Sequence, residues 1–143
     1  MTLSPSSWVT ANRNVLLALG RQVGKPGWCN DIDVAFRPCG FVVCWAHSCV
    51  ETVERVEQGG LAAAVLVGDD RQIDGLSLLR IIRSIDAVLP CWLVTRDTTR
   101  HTLQEAFALK ATGVITHPVG ADELGLTLRR RLAGPVSENE SWS

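Results

Sequence analysis

The chain has 143 residues, of which 46% are hydrophobic and 20% charged, and its net charge is −1. That length suffices for one domain with a buried core, and the charge gives no electrostatic reason to expect nucleic acid or an anionic membrane as a partner. No apolar run reaches membrane-spanning length, residues 1–12 lack the order of a signal peptide, and the five cysteines have no framework spacing. We therefore expect a cytoplasmic protein with one domain at 13–134, a polar tail at 1–12 and a polar tail or linker at 135–143.

Five short apolar runs predict β-strands. They do not alternate with polar residues, which is typical of parallel strands that helices cover on both faces. The predicted strands are residues 15–19, 41–45, 62–67, 91–95 and 114–116.

Helical patterns fill most of the gaps between these strands. Ser48 and Glu51 have the spacing of a capping box, and that helix ends at Gly59-Gly60. Further helices are predicted over 75–86, from Thr98 or Thr99 onward, and over 121–132. The positions expected to face inward are Val50, Val53 and Val56 in the first helix, Leu78, Leu79, Ile82 and Ile85 in the second, Leu103, Ala106 and Phe107 in the third, and Leu124, Leu128 and Leu132 in the last.

Residues 21–40 are the exception, because they contain three glycines and two prolines. They predict a short or distorted helix between loops, with 30–36 as its only candidate stretch. The alternation of strands and helices predicts a three-layer, doubly wound α/β domain with right-handed crossovers. Another three-layer α/β domain of similar size is the structural alternative.

The second half of the chain carries a recognisable set of motifs. Asp74-Gly75-Leu76 opens a helix, Thr95 ends a strand, and His117-Pro118 follows the last strand. With Ala111, Gly113 and the segment 120–124, this layout resembles the receiver domain of two-component response regulators. The resemblance implies a flavodoxin-like, five-stranded parallel sheet of order 2-1-3-4-5. It covers about half of the chain well, whereas the first half matches only in strand order.

The same resemblance indicates where the family's chemistry is missing. Receivers use an aspartate after the third strand as phosphoryl acceptor, two acidic residues after the first strand for Mg²⁺, a lysine, a threonine or serine, and an aromatic residue on the last strand. Matched by position, this chain has Val67 or Gly68, Ala18 or Leu19, His117, Thr95 and Val114. Only Thr95 is retained, and threonine is common at strand ends for structural reasons. We therefore expect no phosphorylation, no metal and no cofactor at this site.

Asp69 and Asp70 offer an alternative acceptor, because they directly follow the third predicted strand. A loop shorter by two residues would bring Asp69 to the acceptor position. Without metal and lysine, nothing would neutralise the charge that develops on the phosphoryl oxygens. The simpler interpretation is that both are solvated loop residues.

Two other sets of residues carry side chains that could form a site. Thiol and imidazole ligands occur at Cys39, Cys44, His47 and Cys49, but they are spread along a strand and its flanks, which favours core thiols over zinc. Of the five tryptophans, Trp45 and Trp92 lie in predicted strands and should be core residues. Trp8, Trp28 and Trp142 are candidates for surface contacts.

The sequence thus predicts a non-enzymatic pseudo-receiver that acts in signal transduction by binding a protein partner or a second copy. By resemblance, the last two helices and the last strand form the surface, with the charged residues Arg100, Glu105, Lys110, Asp122, Glu123, Arg129 and Arg130 setting partner choice. The alternatives are a receiver that accepts phosphate on Asp69, and an enzyme or small-ligand domain with a site near Gly20, Gly68, Asp69, Thr95 and His117. Gly134-Pro135 and the polar tail would suit a linker to an output domain after residue 143, as well as a plain chain end.

Overall fold

A computed structural model describes residues 13–19, 31–67, 75–96, 99–116 and 120–132. In these ranges five parallel strands form one sheet of order β2-β1-β3-β4-β5, which confirms the predicted topology. The strands are β1 (Asn14–Ala18), β2 (Val42–Ala46), β3 (Leu61–Val67), β4 (Cys91–Thr95) and β5 (Gly113–Thr116). Each boundary agrees with the sequence prediction to within one residue.

The helices are α1 (Ile32–Phe36), α2 (Cys49–Gln58), α3 (Gly75–Ile85), α4 (Arg100–Ala108) and α5 (Ala121–Leu132). Helix α1 is the short helix expected in 21–40, and a 3-10 turn over Arg37–Cys39 follows it. Gly40 ends this turn with a φ of 85°, a left-handed conformation that glycine adopts without strain. Helix α5 has the predicted bounds, and α3 ends one residue early.

The two faces of the sheet carry separate apolar layers, because successive side chains of a strand point to opposite sides. Helices α2, α3 and α4 cover the face that holds Leu16, Leu66 and Leu93. Helices α1 and α5 cover the face that holds Leu17 and Val65. The second layer also contains Trp92, which is buried as predicted, and Trp45, which is half-buried against it.

Local hydrogen bonds explain where α2 and α4 begin. The Ser48 hydroxyl accepts a hydrogen bond from the Glu51 N–H at 3.1 Å, and the Glu51 carboxylate accepts one from the His47 N–H at 2.7 Å. The capping box is therefore present, with one difference: the Glu51 carboxylate accepts from the N–H of His47, the residue before the cap, and not from the N–H of Ser48. Thr99 caps α4 by accepting from the Thr102 N–H at 3.3 Å, which decides between the two predicted starts.

Some side chains expected to face inward are exposed. Val50 is 66% exposed, Phe107 56% and Ile85 38%, so these three predictions were wrong. Helix α2 buries Val56, as predicted, and Thr52 in place of Val50. Thr52 tolerates burial because its hydroxyl donates to the Ser48 carbonyl oxygen at 2.8 Å, and Val50, two residues away, then lies on the far side of the helix. Val53 and Leu132 are half-buried.

None of the helices in the described ranges combines the length and the apolar character required to cross a membrane.

Candidate functional site

The carboxyl ends of the parallel strands meet at one edge of the sheet, where open α/β folds bind ligands. β1 ends at Ala18, β3 at Val67, β4 at Thr95 and β5 at Thr116. Thr95 pairs in register with Thr116, and Val67 with Val94 of the neighbouring strand. The described part of this edge therefore presents aliphatic side chains and two threonines.

Val67 and Leu19 occupy two positions at which the resemblance would place carboxylates. Val67 is 6% exposed and Leu19 is 2% exposed, and both pack in the apolar layer under α1 and α5. The Leu19 N–H also donates to the Ala46 carbonyl oxygen at 2.8 Å, which extends the hydrogen bonding between β1 and β2 by one residue. Both residues are thus core residues of the domain, and their side chains offer no metal ligand or phosphoryl acceptor.

Thr95 and Val114 are the other two site positions within the described ranges. Thr95 is 9% exposed at the end of β4, on the face covered by α2, α3 and α4. Val114, in place of the family's aromatic residue, is half-buried against the same layer. Gly68, Asp69, Asp70, His117 and Pro118 lie outside the described residues, as does Gly20. The displaced acceptor Asp69 therefore stays an untested alternative.

No group of three or more histidine, cysteine, aspartate or glutamate side chains in the described ranges could hold a metal ion. Cys39 is half-buried beyond α1, Cys44 is half-buried in β2, and Cys49 is exposed at the start of α2. Cys91 is buried, and burial raises the pKa of its thiol to about 11. A thiol held in its neutral form is a poor nucleophile, so Cys91 serves as a core residue.

Helix α4 presents an apolar strip on the side turned toward β5. Thr102 and Ala106 are buried against the sheet, whereas the Glu105 carboxylate faces α3, where it contacts the Arg80 guanidinium at 3.5 Å. Positions 103 and 107 therefore lie on the opposite side of α4, next to β5. Leu103 is half-buried there and Phe107 is exposed.

Helix α5 has two distinct sides. Gly125 lies against Phe36 of α1, where a Cβ would stand 3.3 Å from the Phe36 Cδ1 atom. Asp122 and Arg129 lie three and four residues from Gly125, and so share this side of the helix. On the other side Thr127, Arg130 and Arg131 line a groove of about 400 Å³ beside β5.

The charged residues predicted from the sequence to set partner choice therefore lie on different sides of α4 and α5. Arg130 lies beside β5, and Arg100, Lys110 and Glu123 are exposed. Glu105 is turned toward α3, and it also contacts His101, one turn earlier on α4, at 3.4 Å. Sequence reasoning missed the exposure of Phe107 and the groove, since the groove depends on which residues of β4 and β5 lie side by side.

No family model matches the sequence, and no curated protein matches it. Solved structures do match. A CheY-like receiver domain from Methanospirillum hungatei has a TM-score of 0.73 at 15% identity, covering 89% of this chain and 98% of that chain. The receiver domain of an HD domain-containing protein from Pseudomonas fluorescens has a TM-score of 0.71 at 18% identity, covering 98% and 96%.

A third match is the receiver domain of a sensor histidine kinase from Pseudomonas aeruginosa, with a magnesium ion coordinated in its active-site cleft. Its TM-score is 0.68 at 18% identity, and the match covers 86% of this chain and 99% of that chain. At these identities the similarity shows the fold. The chain therefore has the CheY-like, flavodoxin-like fold of response-regulator receiver domains, as its sequence predicted.

Proposed function

We propose that this protein is a pseudo-receiver, a signalling domain that binds a protein partner or a second copy and does not depend on aspartate phosphorylation. The observation that carries the proposal is the burial of Val67 and Leu19, two aliphatic residues at the acceptor and metal positions of a receiver fold. We infer that the domain is not an enzyme.

The chemistry of phosphoryl transfer supports this proposal. A phosphoryl group adds a charge of about −1.5 to −2, and its transfer requires cationic groups at the reacting oxygens. Ala18, Leu19 and Val67 provide no ligand for a divalent cation, which prefers carboxylate oxygens. Without phosphoryl chemistry, the domain can still act through the surfaces that it presents to other proteins.

The α4-β5-α5 face, defined here as the β5-facing sides of α4 and α5 together with β5, is the surface we propose for partner binding. Its apolar centre is Phe107, with the half-buried Leu103 one turn away on the same side of α4, and exposed charged residues on the two helices and the loop between α4 and β5 include Lys110, Glu123 and Arg130. An exposed aromatic residue within a polar rim is typical of protein interfaces.

Incubation with a small phosphodonor and Mg²⁺, followed by intact mass measurement, tests the absence of phosphorylation. We expect the mass of the chain to remain unchanged while a conventional receiver in the same tube gains a phosphoryl group. The Asp69→Ala variant identifies the competing acceptor. A phosphoryl adduct that forms on the wild type and disappears in Asp69→Ala would refute the pseudo-receiver proposal.

Sedimentation over a range of protein concentrations tests self-association through the α4-β5-α5 face. Phe107→Glu places a charge at the proposed apolar centre, so we expect it to weaken the dimer roughly tenfold or more, as the loss of an interface anchor does. Val88→Glu is the matched control, because Val88 is 85% exposed in the loop after α3. Equal weakening by both substitutions would show that the dimer uses another surface, and a strict monomer would exclude self-association.

A further inference from the structure

A groove of about 400 Å³ lies between the outer edge of β5 and helix α5, away from the carboxyl ends of the strands. Trp92 of β4 forms its floor, and Gly113, Thr127, Arg130 and Arg131 contribute to its walls. Its lining brings together one indole N–H group and two guanidinium groups, all of them hydrogen-bond donors.

Gly113 gives the groove access to the Trp92 ring. The two residues are register partners on β4 and β5. A Cβ on Gly113 would stand 3.0 Å from the Trp92 Cδ1 atom and 3.1 Å from its Nε1 atom, closer than ordinary contacts. Glycine therefore leaves the polar edge of the indole uncovered by any side chain of β5.

The Trp92 indole N–H is a buried donor without an acceptor in the described ranges. Trp92 is 2% exposed, and its Nε1 atom makes no hydrogen bond with another described residue. Buried indole N–H groups usually have a partner, since leaving one unpaired costs on the order of 1–3 kcal/mol. The position of this N–H indicates that an acceptor belongs in the groove.

The walls add positive charge. Arg130 and Arg131 belong to the last turn of α5, and neither forms an ion pair with a described carboxylate. None of the described residues that line the groove is acidic. The two threonine hydroxyls nearby are engaged, since Thr112 accepts from the Cys91 N–H at 3.2 Å and Thr127 donates to the Glu123 carbonyl oxygen at 2.8 Å. A matching occupant would carry carboxylates.

The edge of β5 can take an extended segment. Among the described strands β5 pairs only with β4, so the backbone groups on its outer side face the groove region. Exposed strand edges of this kind bind extended peptides by adding backbone hydrogen bonds.

We propose that residues 136–142 of the same chain occupy this groove, with the carboxylates of Glu138 and Glu140 accepting hydrogen bonds from Trp92, Arg130 and Arg131. The segment reads Val-Ser-Glu-Asn-Glu-Ser-Trp, and its two glutamates, two residues apart, share one side of an extended chain. Helix α5 ends at Leu132, one residue after Arg131, so the described part of the chain ends beside the groove.

The length of the connection is sufficient. Residues 133–138 span up to about 20 Å when extended, and Gly134-Pro135 favours a turn directly after the helix. Attachment to the same chain also gives the segment a high effective concentration at the groove, which compensates for a small interface. The inference does not depend on the proposed signalling function.

The assigned NMR signal of the Trp92 indole N–H in the full chain tests the proposal. In Glu138→Gln/Glu140→Gln we expect this signal to shift and its hydrogen exchange to become roughly tenfold faster, because the ring loses its acceptors. The matched control is Glu54→Gln/Glu57→Gln, which neutralises two exposed glutamates on α2 and should leave the signal unchanged.

A second variant approaches the contact from the groove side. Arg130→Gln/Arg131→Gln should also shift the Trp92 signal and remove the effect of the glutamate substitutions. An unchanged Trp92 signal in the glutamate variant would refute the proposal. The proposal would also be refuted if the wild-type Trp92 signal moved to its position in the glutamate variant when the protein is diluted to monomer. The bound segment would then come from a second copy.

Discussion

Val67 is the last residue of β3, and its side chain packs in the same apolar layer as Ala121 and Leu124 of α5. Val67→Asp would restore a carboxylate at the acceptor position but would bury it without a cation. We expect the variant to lose at least about 2 kcal/mol of unfolding free energy, measured by urea denaturation, and to take up no phosphoryl group.

Val67→Thr is the matched control for this substitution, because it nearly keeps the shape and adds only a hydroxyl group. We expect it to lose less stability than the aspartate variant. An aspartate variant as stable as the wild type would mean that position 67 can reach solvent, and that the site is closer to a working receiver than its burial indicates.

Cys91 makes stability depend on pH in the alkaline range. Burial raises the pKa of its thiol from 9.0 to about 11, so the folded state keeps the proton to a higher pH than the unfolded state does. The stability that the protonated Cys91 thiol contributes to the folded state is complete below pH 9 and is lost as the pH rises toward 11.

Between pH 8 and pH 11 we expect the wild type to lose roughly 2 kcal/mol more unfolding free energy than Cys91→Ala, measured by urea denaturation at each pH. Cys49→Ala is the control, because Cys49 is exposed and its variant should follow the wild-type curve. Parallel curves for wild type and Cys91→Ala would contradict the pKa shift.

At the scale of elements, Arg83 connects α3 to the end of α4. Its guanidinium donates to the carbonyl oxygens of Leu109 at 2.8 Å, Lys110 at 3.0 Å and Asp86 at 3.1 Å. Leu109 caps the end of α4 and Lys110 follows it, with a φ of 63°, a left-handed conformation that residues other than glycine rarely adopt. The arginine thus donates hydrogen bonds to backbone carbonyl oxygens that would otherwise lack a partner at the end of the helix.

Arg83→Met removes these hydrogen bonds and keeps much of the side-chain volume. We expect a loss of about 2 kcal/mol in unfolding free energy and faster amide exchange at Ala111 and Thr112, measured by NMR. Arg80→Met, on the same helix, removes only an exposed contact of 3.5 Å and should cost about 0.5 kcal/mol or less. Equal effects of the two substitutions would argue against a structural role of Arg83.

The elements predicted best from the sequence are those with local signals. The capping residue Ser48 and the bounds of α5 depend on neighbours within one helical turn, and the β4 run Cys91–Thr95 is apolar up to its last residue. Burial was predicted less well. The pattern of apolar residues predicted that Val50 faces inward, but in the structure Thr52 faces the core. Thr52 can be buried because its hydroxyl forms a hydrogen bond within its own helix.

In the candidate site, too, features with local sequence signals were predicted and features that depend on distant residues were not. The neutral side chains at the strand ends could be predicted, since Val67, Leu19 and Thr95 needed only the strand order. The groove could not, because it depends on Trp92 lying beside Gly113, residues 21 positions apart that meet only through the β4-β5 register. Likewise, the contact of Arg83 with Leu109 spans 26 positions and has no local signal.

For the whole molecule, strand β5 links the two proposals. Its outer edge and the adjoining side of α5 belong both to the α4-β5-α5 face and to the groove with Arg130 and Arg131. A segment bound in the groove would cover part of the surface that a second copy needs. Binding of residues 136–142 and self-association should therefore oppose each other, with the same coupling free energy in both directions.

Glu138→Gln/Glu140→Gln should release the segment and strengthen self-association, by roughly fivefold or more in the dissociation constant, measured by sedimentation of the full chain. Adding Phe107→Glu to this variant should abolish the gain, because the released surface would still lack its apolar centre, whereas adding Val88→Glu should preserve it. Self-association that is equal to or weaker than that of the wild type would mean that the segment does not compete for β5. In that case the groove and the α4-β5-α5 face would be independent surfaces of the same domain.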